Sequence, residues 1–135
     1  MNWPRALAVW ALIAVVETVH GVLRQLLVVP LIGDLPARQL GVVVGSLLIL
    51  GVAWFTAPWL ALRTPRAQLQ AGALWVVLMA VFEVVLGLAL GYDGSRLWAD
   101  YDPSRGGYMG LGLLVLLLAP LVAARLRAGR EGVQR

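Results

Sequence analysis

The chain has 135 residues, 61% of them hydrophobic and 13% charged, and its mean hydropathy is +0.85. Soluble domains average roughly 45–50% apolar and about 25% charged, which excludes a water-soluble globule and leaves one membrane domain as the expectation at this length. The net charge of +4 and pI of about 10.7 do not indicate a nucleic-acid partner, because the arginines flank apolar runs and form no basic patch.

The fold class expected is all-α, a polytopic membrane protein with four transmembrane helices. A helix needs about 20 mostly apolar residues to cross a hydrocarbon core of about 30 Å. Runs at about 6–29, 39–62, 68–91 and 106–124 qualify. Pro30, Pro36, Pro65 and Pro103 fall in the breaks, where proline is expected to stop helices. The runs lack the period-2 alternation of a transmembrane β-barrel.

The first run opens with one Arg and then apolar residues, as a signal peptide does. It extends well past a signal-peptide core without a cleavage motif, so it reads as a retained first helix. Within it Glu17 lies about 16 Å from the start of the span, close to the midplane. His20 and Arg24 follow, and with Glu17 and Gly21 they keep i, i+3, i+4, i+7 spacing on one helix face. Thr18 and Gln25 lie to one side of that stripe. The second run opens on Gly41 and Gly45 and carries Pro58 near its end. The third holds Glu83, about 22 Å in, followed by Gly87 and Gly91. The fourth opens on Gly106 and Gly110 and carries Pro120 near its end.

Each glycine pair is a small-xxx-small motif, which permits close helix approach either inside the bundle or between copies. Trp3, Trp59, Trp98, Tyr92, Tyr101 and Tyr108 fall near span ends as interfacial anchors. The third connection is long and polar. Its Asp93, Asp100 and Asp102 do not have the spacing of a calcium loop, and no metal or cofactor is expected.

Orientation follows the arginines. Arg5, Arg63, Arg66, Arg125, Arg127, Arg130 and Arg135 flank one side, whereas Arg38, Arg96 and Arg105 on the other are offset by Asp34, Asp93, Asp100 and Asp102. The positive-inside rule then puts both termini in the cytoplasm, in what would be a bacterial inner membrane. The single domain also reads as an internal repeat, 1–65 laid over 66–135. Trp10 falls on Trp75, Glu17 beside Glu83 (E-T-V-H-G against E-V-V-L-G), and the Gly41/Gly45 pair on Gly106/Gly110. A-P-W-L-A-L-R at 57–63 matches A-P-L-V-A-A-R at 119–125. Such parallel repeats would be related by an axis along the membrane normal.

The chemistry available is narrow. With no Cys and one His, thiolate sites and sites needing two imidazoles are excluded, and no Ser-His-Asp arrangement can be assembled. Ser46 stands alone. Glu17, Glu83, His20 and Arg24 remain, and intramembrane ionisable residues point to a proton- or ion-binding site. An embedded carboxyl must stay protonated or meet a cation. For Glu17 that cation is His20 one turn away, with Arg24 able instead to meet Glu83 or the headgroups. The same four residues would also suit a satisfied network that only fixes helix register.

Four helices in little over a hundred residues, with an embedded Glu at Glu17 (V-V-E-T-V), make the chain similar to the small multidrug-resistance transporters. It departs from them in the second embedded Glu, in His20 and Arg24, in the long third connection, and in an arginine bias that opposes dual topology.

The expected function is proton-linked transport or ion conductance, in a homo-oligomer, since four short helices scarcely enclose a pathway alone. A non-catalytic accessory subunit of a larger membrane complex is the alternative. A lipid- or quinone-modifying enzyme has the least residue-level support.

Overall fold

The computed structural model describes residues 3–91, 93–95 and 109–134, and contains no strand among them. Four long helices account for nearly all of this: α1 (Trp3–Ile32), α2 (Asp34–Leu60), α3 (Pro65–Ala89) and α4 (Met109–Gln134). Each contains a stretch long and apolar enough to cross a membrane; in α4 it is Gly110–Ala128.

The helices overrun the expected bounds at three places. Pro30 does not end α1, because residues Arg24–Val28 widen into a π-turn closed by the Val29 N–H donating to Arg24 O. That register shift accommodates the missing Pro30 N–H, and the helix runs on to Ile32. Pro36 lies in the first turn of α2, where a helix has no use for the N–H. The expected loop at 30–38 therefore shrinks to Gly33, whose φ of +89° is open to glycine at little strain. Pro120 sits in the interior of α4 instead of near its end, because α4 continues to Gln134.

The turn between α2 and α3 is tightly specified. The Ala67 N–H donates to Thr64 Oγ1 at 3.1 Å, capping α3, and Pro65 fills the first helical position. Such a cap contributes about 1 kcal/mol. Gln68 Nε2, buried, donates to Leu62 O at 2.8 Å and ties the turn to the helix that follows.

Around the bundle the helices lie in the order α1, α2, α4, α3. Like-directed helices touch. The Trp75 Nε1–H of α3 donates to Ala6 O of α1 at 2.9 Å, and Phe82 meets Trp10 edge-on further along. Arg127 of α4 donates to Trp54 O of α2 at 3.0 Å. A two-fold axis along the membrane normal would put α1 and α3 on opposite corners. Instead the two hairpins stand side by side.

The apolar core occupies the end of the bundle where α1 begins and α2 turns into α3, called proximal here. Ala6, Val9 and Ile13 meet Ala53, Leu60, Trp75, Leu116 and Ala123 there. Gly72 carries the closest approach, since a Cβ on it would overlap the backbone of Leu117. Around the outside, mid-helix residues such as Val15, Leu47, Phe55, Val77 and Leu114 are exposed, an apolar girdle that only lipid or another apolar surface can cover without penalty.

Candidate functional site

Helical spacing turns Glu17, His20 and Arg24 toward one neighbour, and that neighbour is the glycine stretch of α2. A Cβ built on Gly45 would stand 2.8 Å from Glu17 Oε2 and 3.3 Å from Oε1. One built on Gly41 would stand 3.1 Å from Arg24 Cδ, 3.3 Å from Arg24 Nη1 and 3.7 Å from His20 Cε1. The glycines thus form a floor on which the polar side chains of α1 lie flat. Because α2 runs against α1, Gly45 receives the deeper Glu17 and Gly41 the more distal Arg24.

The cluster is crowded but incompletely bonded. His20 Nδ1 is 3.8 Å from Glu17 Oε2, near enough for charge attraction and too far for a hydrogen bond. Both side chains are largely buried, with 18% of His20 and 25% of Glu17 exposed. Glu17 Oε1 and Arg24 Nε are buried and have no hydrogen-bond partner among the described residues. Glu83 arrives from α3, one residue beyond the Phe82–Trp10 contact, and lies within Coulombic range of Glu17, as does Arg24. Two carboxyl groups and a guanidinium therefore influence one another where the dielectric is low, so a proton or cation gained at one is felt at the others.

Thr18 takes no part, because its hydroxyl donates to Ala14 O at 2.7 Å, one turn back. Gln25 is exposed. Arg38, on the distal end of α2, pairs through Nε with Asp34 Oδ2 at 3.0 Å and neutralises the first turn of that helix.

Beside the cluster, the π-turn and the first half of α2 leave a groove of about 200 Å³. Its lining includes His20, Arg24, Leu27, Leu40, Gly41 and Val44. Nothing in the apolar pattern announces a π-turn; the available signal was Pro30 inside a run too apolar to break.

The remaining glycines are placed differently. Gly87 is buried. Gly91 follows the end of α3 with a φ of +86°, and neither Gly91 nor Gly110 has an atom within 4 Å of where a Cβ would stand. Neither therefore makes a close approach inside the bundle among the described residues. Gly106, Tyr92, Trp98, Tyr101, Tyr108, Asp100 and Asp102 lie outside the described residues. Asp93 accepts from the Ser95 hydroxyl at 3.1 Å.

At the proximal end two arginines clamp α2. Arg5 lies 5.2 Å from the Trp59 ring and donates to Trp59 O at 2.7 Å; Arg127 lies 4.3 Å from the Trp54 ring. Satisfied in this way, they hold helices together. Comparison of the chain with protein-family models, with curated proteins and with solved structures yields no match.

Proposed function

We propose that the protein is a small proton-linked transporter or ion conductance in which Glu17 is the main ion-binding carboxyl, Glu83 its partner from the second hairpin, His20 a proton relay and Arg24 a counter-charge. The observation that carries this is the incomplete bonding of Glu17. A network built only to fix helix register would satisfy both carboxylate oxygens, because an unmet buried acceptor costs about 1–3 kcal/mol. Glu17 Oε1 is left without a hydrogen-bond partner among the described residues, and His20 stands off at 3.8 Å. Such a carboxyl is suited to exchange a proton or small cation and is poorly suited to be a strut.

The correspondence of Glu17 with Glu83, Trp10 with Trp75 and the two A-P-x-x-A-x-R segments supports descent from a duplicated hairpin. The arginines at the proximal end support cytoplasmic termini in a bacterial inner membrane. Assembly of several copies would supply the enclosed pathway that four helices lack.

The test is flux of protons, and of monovalent cations under an imposed pH gradient, in liposomes reconstituted with purified protein. Glu17→Gln and Glu83→Gln are each expected to bring flux down to the level of protein-free vesicles while the protein stays folded. Wild-type flux in both variants would remove the role assigned to these residues. The accessory-subunit reading is favoured by one feature, the apolar distal half of α1, where Val22, Leu26 and Leu31 are exposed. It would be supported by co-purifying subunits that are lost on changing Arg24 or Glu17 without any flux to lose.

A further inference from the structure

The groove beside Arg24 has a chemistry and a depth that the proposed ion site does not use. Measured from residue 6, where the first apolar run begins, at 1.5 Å per residue, Arg24 stands about 27 Å along α1, close to the distal edge of a hydrocarbon core of about 30 Å. Its guanidinium therefore meets the membrane at the level where acyl chains give way to lipid phosphates, on the distal face. The guanidinium is partly spoken for by the Coulombic pull of Glu17. Even so, its Nε is buried and has no hydrogen-bond partner among the described residues.

The walls beside it are apolar. Leu23, just before the π-turn, and Leu27 within it face Leu40 and Val44 of α2 across the groove, and all four are also exposed on the outside of the bundle. The opening thus communicates with the bilayer and not with a sealed interior. Gly41 at its base lets the Arg24 side chain lie close to α2, with Nη1 3.3 Å from where a Cβ would stand. Among the described residues, the other arginine of this end, Arg38, is paired with Asp34, and Arg24 is the guanidinium of the lining. An apolar slot with one guanidinium at phosphate depth matches an amphiphile whose head is anionic and whose tail is a hydrocarbon chain.

We propose that this groove is a binding site for an anionic phospholipid of the distal leaflet, its phosphate held by Arg24 and a stretch of one acyl chain lying between Leu23 and Leu27 on one side and Leu40 and Val44 on the other. Arginine suits the task because its planar fork reaches phosphate oxygens by more than one N–H. The volume of about 200 Å³ accepts only a stretch of one chain and cannot take a whole lipid, so the rest of the molecule remains in the leaflet. The site shares Arg24 with the proposed ion site, but it is read out by retention of a lipid and not by ion movement, so the two readings can fail separately.

The test compares the full-length protein in nanodiscs of phosphatidylglycerol mixed with phosphatidylcholine, followed by gentle detergent extraction and native mass spectrometry of the lipids retained. Phosphatidylglycerol is expected to be enriched over phosphatidylcholine by about tenfold, the factor one charge-assisted contact supplies. Arg24→Gln is expected to abolish that enrichment, and Arg24→Lys to restore part of it. Leu40→Trp, which fills the slot without touching the charge, is expected to lower retention of both lipids, and circular dichroism with helix-melting curves checks that each variant is folded. Equal retention of the two lipids by the wild type, or undiminished enrichment in folded Arg24→Gln, overturns the proposal. Displacement of phosphatidylglycerol by millimolar inorganic phosphate overturns it in favour of a simple anion site. Protection of the groove by a second copy of the chain, seen as a dimer that retains no lipid, overturns it in favour of a protein contact.

Discussion

The proximal and distal halves of this bundle are built on different principles. In the proximal half the apolar core residues interlock, Gly72 brings α3 against the α4 backbone, and the polar groups, Trp75 Nε1, Arg5 and Arg127, end on backbone carbonyls. In the distal half the buried positions of α2 are Ala37, Gly41 and Gly45, α1 has no buried residue beyond Ala14, and the space above the glycines is filled by Glu17, His20 and Arg24. Because no hydrophobic force drives helices together in lipid, cohesion must come from close packing and satisfied polar contacts. The proximal half has the closer packing and bonds Trp75, Arg5 and Arg127 to backbone carbonyls, while the buried Trp10 Nε1–H has no hydrogen-bond partner among the described residues. That half acts as the clasp that allows the distal half to keep incompletely bonded charges and an open groove.

If that division is right, substitutions in the two halves separate stability from function. The largest effect on stability is expected for Trp75→Ala, which deletes a fully buried ring and its hydrogen bond to Ala6. The loss should be about 3 kcal/mol, toward the lower end for such truncations because lipid removes part of the transfer contribution. Unfolding by sodium dodecyl sulfate titration would measure it. A loss under about 1 kcal/mol would mean that the proximal core is not the clasp.

Gly72→Ala comes next. Its new methyl would overlap the Leu117 backbone, and a backbone cannot rotate away, so α3 and α4 must part at a cost of about 2–3 kcal/mol. The same titration reads it out. Crosslinking between cysteines introduced on α3 and α4 should weaken in parallel.

Gly45→Ala is the matching change in the distal half and should affect stability least. The atom it meets is Glu17 Oε2, the far end of a flexible side chain that can swing aside by a few tenths of an ångström. A stability change within about 1 kcal/mol is expected, together with reduced flux in liposomes because the carboxyl has been moved off its floor. A variant with wild-type flux would show that the position of Glu17 on α2 does not matter to function. A variant that fails to fold would erase the distinction between the halves.

The apolar runs were enough to read the four helices, because a bilayer demands long apolar stretches whose backbone groups are satisfied internally. The same pattern marked Glu17, His20 and Arg24 as one stripe, since helical spacing is a local property. Three things needed the tertiary structure. The first is that Gly41 and Gly45 lie beneath that stripe: a small-xxx-small motif says that something comes close without saying what, and only the antiparallel register of α1 and α2 assigns the partner. The second is the π-turn, which lets α1 run through Pro30 and opens the groove; it depends on a shift in backbone hydrogen bonding that leaves no mark on an all-apolar sequence. The third is the side-by-side placement of the hairpins, α1 against α3 and α2 against α4, where the proposed repeat gave only an axis along the membrane normal. Similar segments in sequence do not fix the corners the helices occupy, which are decided by the surfaces that pack, above all Trp75 on Ala6 and Arg127 on Trp54.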